Sequence, residues 1–535
     1  MAKSFPAATV KAMLADGKEI ALLDVREAGQ YADGHPFFAV PVAYSGFEAD
    51  IERLVPRRDA RMVLLDDGDG VAACAAKRAE ALGYSDVAVL EGGAPAWKAA
   101  GYTLFDGVNL PSKTFGELIE IERHTPRITA DELVAMQKRG DDMVIVDGRT
   151  WAEYQRFNIP GGISCPNGEL ALRMDAIAPS PKTKIVVNCA GRTRSIIGAQ
   201  TLIDLGVPNE VVALENGTQG WFLAGYEVER GAKLKYPEVS ATGAALAARR
   251  ERAAAHAKKH GVGSVGAADV CAWLGDRTRT TYLLDVRTAE EVAARPFHGF
   301  GHAPGGQLQQ ATDLWVGVKG ARLVLADGDA IRAPMVAAWL RQLGHEAYVL
   351  EPNANTEEIA AAIPADRAPR GPDALTGRAK QLRTTTDVDL AALARSGGVV
   401  LDLRSSQAFR DGHIPGSVWS IRPRLAQAVA KGGSPVVLVA DRPEVAAAAS
   451  LDLADLGIRD VSILAGGLQG WRSQGRAVET SPDTPADRDR IDFMFHTHQR
   501  HDGNVEAARA YLAWEIDLVA RLDEQERGTF RIAGA

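Results

Sequence analysis

The sequence predicts an α/β protein in which one strand–turn–helix plan occurs four times ahead of a helical C-terminal tail. Three observations carry this. An apolar strand ends in Asp-x-Arg four times, at Leu22-Leu23-Asp24-Val25-Arg26, Ile145-Val146-Asp147-Gly148-Arg149, Leu283-Leu284-Asp285-Val286-Arg287 and Val400-Leu401-Asp402-Leu403-Arg404. The intervals are the size of a domain and far exceed a solenoid repeat. Each copy then carries a second apolar strand and a helix ending in Leu-Gly, over residues 62–83, 185–206, 323–344 and 436–457. Copies one, two and four close with a glycine-rich turn and a tryptophan (residues 91–97, 215–221 and 465–471), whereas copy three has only Glu351-Pro352-Asn353 there.

Boundaries follow from where the pattern lapses. Copy one takes residues 1–110, and a connector with Pro111 and Pro126 leads to copy two, residues 120–232. Residues 233–262 read as a helical linker, because 244–260 is alanine-rich with Arg249, Arg250, Arg252, Lys258 and Lys259, the composition of a solvated helix. Copy three spans 263–370, and Pro364, Pro369 and Pro372 punctuate the passage to copy four, residues 371–480. The tail, 481–535, holds an amphipathic stretch over roughly 505–526 with Tyr511, Leu512, Trp514, Ile516 and Leu518 on its apolar side. Its Phe493-Met494-Phe495-His496 stretch is expected to cover a cleft, at the mouth of the Cys189 loop. His496, His498 and His501 lack a supporting acidic ligand pattern, so no metal site is assigned.

The segment Cys189-Ala190-Gly191-Arg192-Thr193-Arg194-Ser195 carries the chemistry. Upstream, Ile185-Val186-Val187 is the β-branched run of a central strand; downstream, Ile196, Ile197, Ala199, Leu202 and Ile203 give a helical stripe that Gly206 ends. A sulfur at such a turn faces backbone N–H groups and the positive end of the helix dipole. Two arginines within five residues add positive charge, and all three effects favour thiolate over thiol. A small buried core cysteine is the competing reading. It is the weaker one, because a core cysteine needs neither the glycine nor the two arginines. The remaining cysteines carry less: Cys74 and Cys271 fall among apolar helix residues, and Cys165, in Ile163-Ser164-Cys165-Pro166, reads as a packed strand-end residue rather than a resolving thiol. There is no Cys-x-x-Cys, which excludes a zinc ribbon or a thioredoxin-type dithiol.

Taken as a set, these motifs resemble the rhodanese family of sulfurtransferases: Asp-x-Arg, then Gly-His-x-Pro-Gly, then a Cys loop, then Gly-Gly-x-x-x-Trp. The second element is complete at Gly412-His413-Ile414-Pro415-Gly416, nearly so at Gly301-His302-Ala303-Pro304-Gly305, altered at Asn158-Ile159-Pro160-Gly161-Gly162, and poor at Gly34-His35-Pro36. The likeness runs from about residue 5 to about 480 and resembles multidomain members of the family. It implies four rhodanese-like doubly wound parallel-sheet domains in tandem. Aligning the second strands without gaps sets Asp66, Asp327 and Asp441 opposite Cys189. A carboxylate cannot form and surrender an S–S bond, so copies one, three (also degenerate) and four are expected to be catalytically empty scaffold.

The resemblance implies double displacement at Cys189. The thiolate takes the outer sulfur of thiosulfate or a persulfide donor, and cyanide, a thiol or a protein cysteine then removes it. Backbone N–H groups of Ala190, Gly191, Arg192, Thr193, Arg194 and Ser195 would cradle the persulfide, with Gly191 letting the loop turn them inward. Arg192 and Arg194 would bind the donor's sulfonate. The Asp147/Arg149 pair recurs in every copy, so it reads as a structural ion pair or turn cap. Cys189 to Arg194 is a Cys-x4-Arg loop, as in sulfurtransferases of the superfamily; phosphatase and arsenate-reductase relatives use Cys-x5-Arg, and here Ser195 holds that last position. A mercaptopyruvate donor is disfavoured by the charged residues between Gly191 and Thr193 and after it. Two other classes stay open: an enzyme delivering persulfide to a protein or thiol-oxidising pathway, and a scaffold in which Cys189 is a redox-sensing regulatory thiol.

Composition narrows the rest. Hydrophobic content of 46% and charged content of 24% are those of a globular protein, and a net charge of −8 leaves no electrostatic footprint for nucleic acid. Met1-Ala2-Lys3-Ser4-Phe5-Pro6 enters a polar segment without an apolar signal core, and no stretch suits a bilayer, so neither leader nor membrane partner is expected. Four cysteines in 535 residues suit a reducing cytoplasm. No cofactor is called for.

Overall fold

The structure is a computed structural model, and it describes residues 3–238, 243–367, 370–386, 390–430, 433–495, 500 and 503–532. Each repeat forms its own five-stranded sheet with parallel ladders. Numbered within a repeat, the strands run first, fifth, fourth, second, third across the sheet, so the fourth is central and the second, the Asp-x-Arg strand, lies beside it. Helical crossovers connect them, giving four tandem rhodanese-like α/β domains, with a helical C-terminal region after the fourth. The third repeat forms a complete sheet despite lacking the closing tryptophan.

The second repeat shows why these residues make a doubly wound layer. Alternate residues of its strands face opposite sides, as a period of two requires. Val146, Ile185, Val187, Val211 and Ala213 pack with Leu170, Met174, Ala199 and Leu202 on one face. Ile145, Val186, Val212 and Leu214 pack with Leu133 and Trp221 on the other. Both sides are therefore apolar, which is why the strands read as continuous β-branched runs. Trp221 ends the domain by donating its indole N–H to the Glu227 carbonyl at 2.8 Å.

The chain divides into two compact units. One comprises residues 1–14, 20–108 and 366–496, with the first and fourth sheets; the other comprises 15–19, 109–365 and 497–535, with the second and third sheets. In the first unit, Arg422 reaches from the fourth repeat to Glu48 of the first. The Phe493–Phe495 stretch also belongs to this unit. The Ile491 carbonyl accepts the Gly29 N–H at 2.8 Å, and a Cβ on Gly29 would stand 2.6 Å from the Phe493 carbonyl oxygen. The backbone of the segment Ile491–Phe493 thus lies against Gly29 of the first repeat. In the second unit, the linker helix Ala244–Lys259 is not simply solvated: Arg249, Ala253, His256 and Ala257 are buried, and Arg249 bonds the Leu172 carbonyl and Asp175. Its small alanine face permits that close packing. No helix among the described residues is long and apolar enough to cross a membrane.

Every repeat contains the same buried ion pair. In Asp-x-Arg the guanidinium Nη2 meets the aspartate Oδ2 at 2.6 Å in the first, third and fourth copies and 2.7 Å in the second. The same nitrogen donates to a main-chain carbonyl eight residues onward: Gly34, Phe157, Arg295 or Gly412. The pair staples the sheet to the segment after the next helix. Removing one partner leaves the other charged and buried, so Arg404→Met should destabilise its domain by about 3–5 kcal/mol. Urea unfolding of the variant against the wild-type protein checks this.

Candidate functional site

The strand Lys184–Asn188 delivers Cys189 to the turn before the helix Thr193–Leu205. The first N–H groups of that helix have no intrahelical acceptor. Register defines the equivalent positions elsewhere. Asp147 pairs with Asn188, Asp24 with Leu65, Asp285 with Ala326 and Asp402 with Val439, so the residues in the place of Cys189 are Asp66, Asp327 and Ala440. The ungapped alignment that set Asp441 there is corrected: the fourth-copy strand ends one residue earlier. Ala440, like aspartate, offers no sulfur.

The two aspartates reveal what the turn does. Asp66 accepts backbone N–H groups from Gly68 at 2.9 Å, Gly70 at 3.0 Å and Ala72 at 3.0 Å. Asp327 accepts from Ala330 at 2.9 Å, Ile331 at 3.0 Å and Ala333 at 2.9 Å. The turn is an anion cup that these copies fill with their own carboxylate. Counted the same way from Cys189, the third-copy donors correspond to Arg192, Thr193 and Ser195. Among the described residues no side-chain or main-chain acceptor meets those three N–H groups. Sγ lies 3.5 Å from the Ser195 hydroxyl, which itself donates to the Arg192 carbonyl at 2.8 Å. The hydroxyl's single proton is thus engaged, leaving its oxygen to accept from the thiol.

Gly217 closes the floor, with φ 51° and a position where a Cβ would sit 2.3 Å from the Cys189 carbonyl oxygen, so only glycine fits. Thr218 and Gln219 donate their N–H groups to the carbonyls of Cys189 and Ala190. Gly191, in contrast, does not have a positive φ. Its role is space: an added Cβ would meet Glu515 at 2.9 Å and Gln219 and Tyr511 at 3.4 Å.

The two arginines are engaged. Arg192 grips Glu117 with two bonds of 2.8 Å and also holds Glu120. Burial works against its charge, but the pairing with Glu117 raises it beyond the ordinary guanidinium range; burial lifts the Glu117 carboxyl in turn. Arg194 holds Glu153 at 2.7 and 2.8 Å. Burial opposes ionisation of Glu153, yet Arg194 draws its carboxyl well below the usual range. Direct contact with a donor through either guanidinium would require exchanging these partners. The Arg194–Glu153 pair has a double in the third copy, where Arg332 holds Glu291 at 2.6 and 2.8 Å, so it does not depend on the sulfur. Arg192 has no such double: Ala330 stands in its place.

The loop is covered. Cys189 is 2% exposed, and Ala190, Arg192, Thr193, Arg194 and Ser195 are all buried. The cover is the tail helix Val505–Asp517. Glu515 accepts from the Thr193 hydroxyl at 3.2 Å and from Lys113 Nζ at 2.8 Å, and Lys113 also bonds the Tyr511 hydroxyl. Sequence reasoning missed Lys113, Glu117, Gln219, Tyr511 and Glu515 as site residues. Gln219 gave one signal, its place in the glycine-rich turn, but Gln469 holds the same place in the Cys-less fourth copy.

The other cysteines are free thiols. Cys165 is fully buried, and burial pushes its thiol well above the ordinary range. Cys74 is exposed on its helix rather than packed, and Cys271 is half-buried. His496, His498 and His501 lie outside the described residues, and no cluster suited to a metal ion occurs among those described.

A family model for the rhodanese-like domain matches residues 6–100, 129–224 and 386–474, within the first, second and fourth repeats. A crystal structure of a thiosulfate sulfurtransferase from Pseudomonas aeruginosa is similar over 99% of both chains, with a TM-score of 0.85 and 40% identity. The thiosulfate sulfurtransferase GlpE of Pseudomonas savastanoi pv. phaseolicola is 33% identical over 84 residues, 15% of this chain and 79% of that protein. The HTH-type transcriptional regulator Rv0324 of Mycobacterium tuberculosis is 34% identical over 105 residues, 20% of this chain. The match spans 45% of that regulator's length.

The cover makes a direct expectation. Lys113→Met strands Glu515 as a buried unpaired charge and should loosen the tail helix, raising the alkylation rate of Cys189 at least about tenfold. Peptide mapping after timed iodoacetamide labelling, with exposed Cys74 as the internal reference, measures it.

Proposed function

The chain belongs to the rhodanese-like domain family of sulfurtransferases, and on that premise we propose that its second repeat transfers sulfane sulfur through a persulfide on Cys189. The observation that carries the proposal is internal to the chain: the turn that gathers three N–H groups around Asp66 and around Asp327 presents a sulfur only in the second copy. The Cys189 thiolate attacks the outer sulfur of the donor, thiosulfate or a persulfide. The donor's S–S bond breaks and its electron pair leaves with sulfite or the donor thiolate. The cup of N–H groups from Ala190 to Ser195 then holds the terminal sulfur without any protonation. Cyanide, a low-molecular-weight thiol or a protein cysteine attacks that sulfur next and restores the Cys189 thiolate. Arg192 and Arg194, tied to their carboxylates, shape the loop and add to its field. A reducing, thiol-containing cytoplasm fits such an acceptor.

The other three repeats serve as scaffold, since none places a sulfur at the cup. Incubation with thiosulfate should add one sulfur to the intact mass of the wild-type protein and none to Cys189→Ser, while Cys165→Ser still loads. Absence of loading with every sulfane donor tried would assign Cys189 to a regulatory thiol on a rhodanese-like scaffold.

A further inference from the structure

Resting on that reading of Cys189, we propose that Glu515 occupies the site of the donor's sulfonate. When the tail helix lifts, Lys113, the Thr193 hydroxyl and the Gln219 amide take the sulfonate of thiosulfate, so cover and donor compete for one anion site. Glu515 is 1% exposed and reaches the loop from the helix Val505–Asp517. Its Oε1 accepts from Lys113 Nζ at 2.8 Å, from the Thr193 hydroxyl at 3.2 Å and from the Tyr511 hydroxyl at 3.3 Å. Thr193 also holds the position of one of the three cup N–H groups, that of Ile331 in the third repeat. Glu515 Oε2 stands 2.9 Å from where a Gly191 Cβ would be, so the carboxylate lies across the loop from Thr193 to Gly191. Gln219 Nε2 lies 3.4 Å from the same point. That amide is 1% exposed, and neither of its polar atoms is hydrogen-bonded among the described residues. Buried polar atoms are almost always satisfied, so an unused N–H donor beside a carboxylate marks a place for one more acceptor oxygen. A carboxylate brings two oxygens. A sulfonate brings three, one each for Lys113, Thr193 and Gln219.

The pairing of charges singles out Lys113. Arg194 is paired with Glu153 of its own repeat, Arg192 with Glu117 and Glu120 of the helix Leu110–Arg123, and Lys113 with Glu515. Of these carboxylates only Glu515 rides on the terminal helix. With the helix docked the charges match. Displacing it takes Glu515 from Lys113 and leaves that ammonium without its counter-charge, a place that an anionic donor fills with charge-assisted hydrogen bonds. A donor whose outer sulfur lies in the cup carries its sulfonate just outside, where the Glu515 carboxylate sits. The Cys189 thiolate attacks the outer sulfur, the S–S bond breaks, and its electron pair leaves with sulfite. One thiolate and one thiosulfate dianion become one persulfide anion and one sulfite dianion, so charge balances without any other reactant. Once sulfite departs, Glu515 returns to Lys113 and Thr193, and the helix closes over the loaded sulfur.

The test compares two rates on Cys189 in the full chain. Alkylation by iodoacetamide, a neutral probe, reports opening of the cover; intact mass follows sulfur loading from thiosulfate. Lys113→Met and Glu515→Gln both weaken the contact that docks the helix, so both should alkylate faster than the wild-type protein. They should part on thiosulfate. Glu515→Gln weakens the competitor and should load about tenfold faster, because more of the protein is free to take the donor. Lys113→Met removes a charged hydrogen-bond donor and should load about tenfold slower. Gln219→Leu strands no charge, so it reads the site even where Lys113→Met does not fold; it should slow loading and leave alkylation unchanged. A merely structural role for these residues would move loading in step with alkylation. Loading that shifts in the same direction in Lys113→Met and Glu515→Gln, or that is unchanged in Gln219→Leu, overturns the proposal while the Cys189 persulfide stands. No sulfur on Cys189 in the wild-type protein or any variant overturns the sulfurtransferase reading and this proposal with it.

Discussion

A parallel strand that runs straight into a helix points several backbone N–H groups at one spot, and something must satisfy them. That demand organises this chain. In the first and third repeats the residue at the strand end is an aspartate whose carboxylate takes three of those groups, so the turn is complete in itself. In the second repeat a cysteine stands there, and the same groups are left for whatever the sulfur carries. A carboxylate and a thiol are two answers to one constraint, at a single position just past the strand end.

Recurrence among the repeats sorts the surrounding residues. The Asp-x-Arg pair is present in all four and belongs to the fold. The fifth residue after the Cys189 or Asp327 position, Arg194 or Arg332, pairs with the helix-capping glutamate in the second and third repeats alike, so it too is largely architecture. Arg192 with Glu117 and Glu120 occurs only beside the sulfur. The helix bearing those glutamates lies so close that a Cβ on its Gly116 would stand 2.8 Å from Thr193 Cγ2. What is peculiar to the second repeat is thus a small set, and most of it comes from outside the repeat's own sheet.

That distribution explains what could be read in advance. The four sheets were legible, because β-branched runs with Asp-x-Arg ends and Leu-Gly helix stops are local patterns. So was the Cys189 turn, whose neighbours are its sequence neighbours. The fourth-copy register was not, since a strand one residue shorter looks the same in an ungapped alignment until the ladder pairs Asp402 with Val439. The partners of the site were not either. Glu117 is 75 residues from Arg192, and Glu515 is 322 from Thr193. A glutamate in an amphipathic tail carries no sign of where its helix will dock.

A sulfur only 2% exposed is ill placed for exchange with solutes unless its cover opens. A nucleophile sealed in a core would be ringed by satisfied apolar contacts. Cys189 is instead covered by a 13-residue helix that meets the loop through a carboxylate, a lysine and a hydroxyl, with polar capacity unused on Glu515 and Gln219. Displacing that helix while the segment after it stays anchored, through Phe530 on Phe115 and the Arg531 N–H on the Gln342 carbonyl, would be a local opening, which lies at the low end of a protein's free-energy scale. On the proposed function, closure after loading would exclude water and stray thiols from the bound sulfur. If Cys189 carries the sulfur as proposed, its burial protects that sulfur between the two transfers.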